Sequence, residues 1–472
     1  MIQSPWVERF NGLDDQAISL RVRHVPNPVS DLCKSPSAEA SNLLWHTLRE
    51  IFLPTPRTLQ VINKILAIAI SHSKVTYPNV DTFWQKLHRL DFQPEPATCF
   101  AGLAGVGKSE VLKAINRLMQ EVLAVDAGEG CRLMMRAFFY SRVEEGDSEA
   151  SILRSFLQSS WEAQQKFLGV SEGVKRNAAD GKENDSPWNV KAVKKASDLA
   201  KRFALRDGVA TILLDELQFM TQSSEANTKV TKALLASTYL GPPLVYATNY
   251  DMGHRLKNRG QQDRERLLAR HIVLLPDSLG RDEDVLAWQD YLTECVRVSA
   301  GCISIDPLRD GEALHQYTFG LKRKLLELFR IGYGHARDKS RPHATIEDFE
   351  WAYRSSEYSV HREDVEELIA ITLGRKSARL DLQCPFPLDP EEWQHRAAYQ
   401  KAKNIEMVTN LATASSLSPD EKKAYVAAGG TVPTKPQKKS SKTSTSRQTK
   451  PPMAESMRGG AQRYKNQQQS QK

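Results

Sequence analysis

The strongest chemical signal is the stretch "AGLAGVGKSE", in which Gly102, Gly107, Lys108 and Ser109 fill the spacing G-x-x-x-x-G-K-[ST]. Glycines in that spacing let successive backbone N–H groups turn around a row of phosphates. The lysine brings a cation to the β- and γ-phosphates, and the hydroxyl offers a hard oxygen to Mg²⁺. The whole loop, Gly102, Leu103, Ala104, Gly105, Val106 and Gly107 with Lys108, Ser109 and Glu110, is expected to hold the phosphates of ATP. A second signal is "GVATILLDELQ", an apolar run that ends in acid. Asp215 is expected to share Mg²⁺ with Ser109, and Glu216 to polarise the water that attacks the γ-phosphate. A third is "PPLVYATNY", where Asn249 follows an apolar strand and is placed to hold the attacking water or report on the γ-phosphate. Beyond it, "NRGQQDRERLLAR" carries Arg264, Arg266 and Arg270, one of which can serve a neighbouring subunit's site.

These residues need particular elements to position them. "ATCFAG", entered after Pro94 and Pro96, reads as a buried strand. Val111, Leu112, Ile115, Leu118, Met119 and Val122 recur at helical spacing just after the loop. The helix then points its free N–H groups and its positive dipole end at the phosphates. Val209 to Leu214 reads as a buried parallel strand, with Asp215–Glu216 at the carboxyl end where ligands sit in open α/β sheets. "HIVLLP" is a further strand. From Arg281 onward, "DEDVLAWQDYLTECVRV", "DGEALHQYTFGLKRKLLELFRIGYGHA" and "TIEDFEWAYRSSEYS" all have helical spacing. The expected fold class is therefore α/β: a P-loop core with a parallel sheet, followed by an α-helical lid. A mostly α N-terminal extension precedes it and a disordered basic C-terminal tail follows.

The expected divisions are 1–90 for the N-terminal extension, 91–280 for the core, 281–375 for the lid, 376–430 for a docking segment and 431–472 for the tail. The 107 residues from Lys108 to Asp215 are long for such a core, and "GVSEGVKRNAADGKENDSPWNVK" reads as a surface insertion. With 472 residues, 40% hydrophobic and 26% charged, the composition is that of a globular protein. No run approaches the ~20 apolar residues a bilayer requires, and "KILAIAISHS" is too short, so a cytoplasmic protein with no membrane partner is expected. The six cysteines are scattered without C-x-x-C spacing, which predicts reduced thiols and no zinc. The net charge of +8 is local. From Thr431 onward ten Lys/Arg face one acid, leaving the first 430 residues near −1. A tail of that composition is expected to be disordered and to attract acidic partners such as nucleic acid, or simply to keep the chain soluble.

The order of phosphate loop, second strand, acidic strand, asparagine strand, arginine helix and helical lid resembles the AAA+ superfamily. By that resemblance Asn249 corresponds to sensor 1 and Arg266 or Arg270 to the trans arginine finger. Lys322 or Arg323, in "TFGLKRKLL", corresponds to sensor 2. Within the superfamily the chain resembles transposon-encoded target-selection ATPases of the TnsC type, relatives of MuB and TniB. The likeness is carried by "TILLDELQFM", by "FGLKRKLLELFRIGYGHARDKSRPHATIEDFEWAYRSSEYSVHREDVEELIA", and by the N-terminal "RVRHVPNPVSDL" and "TLQVINKILAIAISHSKV". It implies ATP and Mg²⁺ as cofactors and double-stranded DNA as a partner. It also implies a homo-oligomeric ring or filament, and links to a transposase and a target-selection protein. Arg142, Lys175 and Arg176 are the DNA-contact candidates, and "CPFPLDPEEWQHR" with Trp393 is a docking candidate. The rival readings are a signal-transduction NTPase switch, a remodelling chaperone, and a DNA-binding scaffold that uses ATP only for assembly.

Overall fold

The computed structural model describes residues 4–30, 32–90, 93–119, 122–126, 132–143, 148–169, 193–216 and 224–416. Among these residues there are seven strands: β1 Thr98–Gly102, β2 Leu123–Asp126, β3 Arg132–Met135, β4 Phe138–Arg142, β5 Thr211–Asp215, β6 Leu244–Thr248 and β7 Arg270–Leu274. Five form one sheet in the order β4-β5-β6-β1-β7, every neighbouring pair parallel. Strands β1, β5 and β6 are buried along their whole length. Continuous apolar runs such as "TILL" suit a sheet covered by helices on both faces. The register aligns the carboxyl ends: Ala101 lies beside Thr248, and Arg142 beside Asp215. One edge of the sheet therefore presents the phosphate loop, the acids and Asn249 together. Strands β2 and β3 form a separate antiparallel pair.

A helical lid follows, with helices Asp282–Val298, Pro307–Thr318, Lys322–Asp338, Ile346–Arg354 and Ser359–Thr372. The periodic stretch around "TFGLK" is two helices rather than one. Phe319 and Gly320 both take positive φ (56° and 69°), which ends the first helix before the second begins at Lys322. Glycine is required there, because a Cβ at Gly320 would meet the Asp277 carbonyl oxygen at 2.6 Å.

The N-terminal chain is mostly helical and divides its burial between core and lid. Ile18, Val22, Val61, Ile62, Ile65 and Ala69 join the apolar cluster around the sheet. Ala40, Leu44, Leu48, Ile51 and Leu53 join the lid's cluster with Trp288, Leu325 and Phe329. The segment between them is tied down by Arg57. Its guanidinium, buried at the start of helix Pro56–Thr76, grips the Asp284 carboxylate of the lid at 2.6–3.0 Å and also pairs with Glu392. Each buried pair of this kind is costly to break from one side, about 3–5 kcal/mol.

Residues Met1–Lys403 form one compact unit. The last described helix, Pro390–Ser416, exposes Ile405, Met407 and Val408. The basic tail lies outside the described residues, as do Lys175, Arg176 and the expected insertion from residue 170 on. Cys99, Cys295 and Cys384 are free thiols. Among the described residues no helix is long and apolar enough to cross a membrane, and no group of three or more His, Cys, Asp or Glu is placed to hold a metal ion.

Candidate functional site

At the carboxyl edge of the sheet a cavity of about 390 Å³ opens between core and lid. The loop after β1 forms its floor. Gly105 and Gly107 hold φ of +82° and +107°, a conformation that favours residues without a Cβ and turns the chain around the cavity. A Cβ on Gly105 would strike Arg323 at 2.8 Å, so the loop and the first turn of lid helix Lys322–Asp338 touch through this glycine. The Arg323 backbone N–H donates to the Gly105 carbonyl at 3.4 Å.

Lys108 begins helix Lys108–Leu118 and is 8% exposed. Its Nζ donates to the carbonyls of Gly102 and Leu103 at 2.8 and 2.9 Å and to Asn249 Oδ1 at 2.9 Å. Burial pulls this ammonium down to about 7, while the Asp215 charge works in the opposite direction. The site would therefore gain from an added anion, which favours the charged form of this lysine.

Asp215, at the end of β5, is 2% exposed. Ser109 Oγ donates to its Oδ1 at 3.1 Å, and Tyr140 Oη donates to its Oδ2 at 3.2 Å. Desolvation raises its pKa, and these donors counter that. Glu216, next in the chain, has a different environment. It takes a positive φ of 59° and its carboxylate pairs with the Arg142 guanidinium at the end of β4. Arg142, a DNA-contact candidate by sequence, thus lines the cavity with its charge turned to Glu216.

The lid side contributes Tyr291, Lys322, Arg323 and Leu326. Lys322 Nζ lies 4.8 Å from the Tyr291 ring centroid. Glu110 also lines the cavity and is paired with Lys113 at 2.8 Å. Sequence reasoning missed Tyr140, Tyr291 and the N-terminal residues Trp45, Arg49, Ile51, Phe52 and Thr58, which line the same space.

The two arginines chosen as finger candidates stand away from this cavity and are engaged. Arg266 bonds to Tyr239 Oη and lies over that ring, while Arg270 begins β7 and pairs with Glu95 at 2.9 Å. Arg264, exposed on helix Gln261–Leu268, has no side-chain partner among the described residues.

The residues fit the groups that the loop implies. Lys108, the loop N–H groups and a helix N-terminus suit phosphate oxygens. Ser109 and Asp215 place two hard oxygen donors together, as Mg²⁺ requires. No protein-family model matches the chain, and no curated sequence does. Solved structures that resemble it are the Aeropyrum pernix ORC1 protein in complex with DNA (16% identity, TM-score 0.35, 76% of this chain and 82% of that one), the Aeropyrum pernix ORC2 protein in ADPNP–ADP complexes (11%, 0.34, 74% and 82%) and the Thermotoga maritima RuvB Holliday junction branch migration motor (11%, 0.31, 66% and 75%). The fold class, an AAA+ type α/β core with a helical lid, rests on the strand order and the loop described above.

Proposed function

We propose that this chain is an ATP-hydrolysing AAA+ regulator that assembles on double-stranded DNA. On this reading it links a target-selection protein to a transposase, as TnsC-type proteins do. The observation that carries the ATPase part is convergence: Lys108, Ser109, Asp215, Glu216, Asn249 and Arg323 line one cavity although they come from four separate stretches of chain. The DNA and transposition parts rest on the sequence resemblance and on the +9 carried by residues 431–472.

In this reading Lys108 holds the β- and γ-phosphates, and Ser109 with Asp215 holds Mg²⁺. When bound, that ion neutralises phosphate charge. Tyr140 fixes the Asp215 carboxylate from its far oxygen. Glu216 accepts the proton of the attacking water once its carboxylate is released from Arg142, and Asn249 orients that water. Arg264, exposed on its helix, is free to reach a neighbouring protomer's nucleotide, whereas Arg266 and Arg270 would first have to leave Tyr239 and Glu95. Contacts to DNA are mainly to phosphate, hence tolerant of sequence and weakened by salt.

The test is sedimentation with random-sequence duplex DNA in the presence of ATP, a non-hydrolysable analogue, ADP or no nucleotide. Large complexes with the triphosphates alone are expected. Equal binding in all four conditions would reduce DNA contact to the basic tail, and no binding at all would contradict the DNA reading.

A further inference from the structure

We infer that the stretch from Arg379 to Lys403 is a strap that locks the angle between core and lid, and that nucleotide in the cavity loosens it; this rests on the nucleotide reading above. The chain passes from core to lid between Leu274, at the end of β7, and Asp282, and leaves the lid after the helix that ends at Thr372. The returning stretch is then bound at three places. At the lid, the Arg379 guanidinium donates to Asp364 at 2.9 Å. On the core, the Gln383 carbonyl oxygen lies 3.0 Å from His254 Nε2, Lys257 Nζ donates to the Pro385 carbonyl, and the Phe386 ring stacks on His271 of β7 at 4.6 Å.

The third place is the core–lid connection itself, against which the first turns of helix Pro390–Ser416 are packed. Arg396, 4% exposed, donates to the Pro276 carbonyl, and Glu392 pairs with Arg57. A Cβ on Gly280 would meet the His395 carbonyl oxygen at 2.9 Å. Tyr399 and Lys403 then reach Glu312 of the lid, each at 2.7 Å. A rotation of lid against core cannot leave all these contacts intact, because they fall on the core, on the lid and on the connection between them.

A series of direct contacts joins the phosphate loop to this strap. Gly105 touches Arg323 of helix Lys322–Asp338. The next residue, Lys324, is buried and pairs with Asp364 Oδ2 at 2.9 Å, while Oδ1 of the same carboxylate holds Arg379. One carboxylate thus ties the helix that carries Arg323 to the start of the strap. In this arrangement the loop's polar groups face partners of the chain itself: the Gly105 carbonyl takes the Arg323 N–H, and Lys108 is bonded to Gly102, Leu103 and Asn249. A triphosphate competes with those partners and gives Lys322 and Arg323 a new anion to approach. The lid angle that suits the ligand therefore differs from the one the strap holds, and a loosened strap favours the ligand in return.

The test is amide hydrogen exchange across residues 380–403 of the full chain, with and without saturating ATP and Mg²⁺, in wild type, Arg379→Gln and Lys257→Met. Both replaced side chains are exposed, so neither substitution opens a hole in the core. Wild type is expected to exchange these amides about fivefold faster with ATP bound. Reciprocity asks for a similar factor in affinity, so each variant is expected to bind ATP about fivefold tighter by calorimetry. In Arg379→Gln the strap is also expected to lose its response to ATP, because its tie to the Lys324 helix is cut. Wild type that binds ATP yet exchanges at an unchanged or slower rate would overturn the inference, as would an unaltered response and affinity in Arg379→Gln. Failure of wild type to bind ATP in the calorimeter would instead overturn the nucleotide reading on which this one stands.

Discussion

The two walls of the cavity hold their charges differently. On the core wall each charged group is pinned by directed hydrogen bonds: Lys108 by three acceptors, Asp215 by Ser109 and Tyr140. On the lid and N-terminal side, cations lie over rings: Lys322 over Tyr291 and Arg49 over Trp45. Directed bonds fix a point, as the transfer of a phosphoryl group requires. Cation–ring contacts hold a direction less strictly, so the lid and N-terminal side fixes its charges less sharply than the core side does.

Substitutions can break this contrast, and the largest effect is expected from Glu216→Gln. Loss of the base should slow hydrolysis by about 10²–10⁴-fold while ATP binding stays near wild type. Normal turnover in that variant, followed by phosphate release, would remove Glu216 from its role. Next comes Lys108→Ala, which removes a buried charged donor. Affinity for ATP should drop about 10²-fold, read by calorimetry, and nucleotide-dependent DNA assembly should be lost with it.

The pH dependence sharpens the core-wall side. Lys108 sits at about 7 in the fold against an ordinary value of 10.5. The ligand-free fold thus carries a penalty below pH 7 that is relieved as pH rises toward 10.5. Bound phosphate favours the ammonium, so ATP binding above pH 7 should take up a proton and weaken by up to about 50-fold from pH 7 to 9. Titrations in buffers of different ionisation enthalpy read that proton directly; no uptake would contradict the environment assigned to Lys108. The smallest expected effect is Gly105→Ala. Its φ of +82° and the 2.8 Å approach to Arg323 predict about 1–2 kcal/mol of destabilisation and a few-fold weaker ATP binding.

What could be read from sequence followed from how local each signal was. The phosphate loop, β5 with its acids and β6 with Asn249 announce themselves within ten residues each, because loop spacing and buried-strand runs are local patterns. Tyr140 did not, since a tyrosine in "RAFFYSR" reads as one more core aromatic until β4 is paired with β5. Trp45 and Phe52 reach the cavity only through tertiary packing of helix Ser37–Arg49 on the lid, and no spacing encodes that. The engagement of Arg266 with Tyr239 likewise depends on a residue 27 positions away. The helix break at Phe319–Gly320 was hidden because the apolar period carries across it.

The most direct test of nucleotide binding at this cavity is the melting midpoint of the full chain with and without ATP and Mg²⁺, for wild type and Lys108→Ala. A ligand that binds only the folded state at 100 times its Kd stabilises by about 2.7 kcal/mol. A clear rise in the wild-type midpoint is therefore expected, and none in Lys108→Ala. A wild-type midpoint that nucleotide leaves unmoved would contradict the ATP site built on Lys108, Ser109 and Asp215.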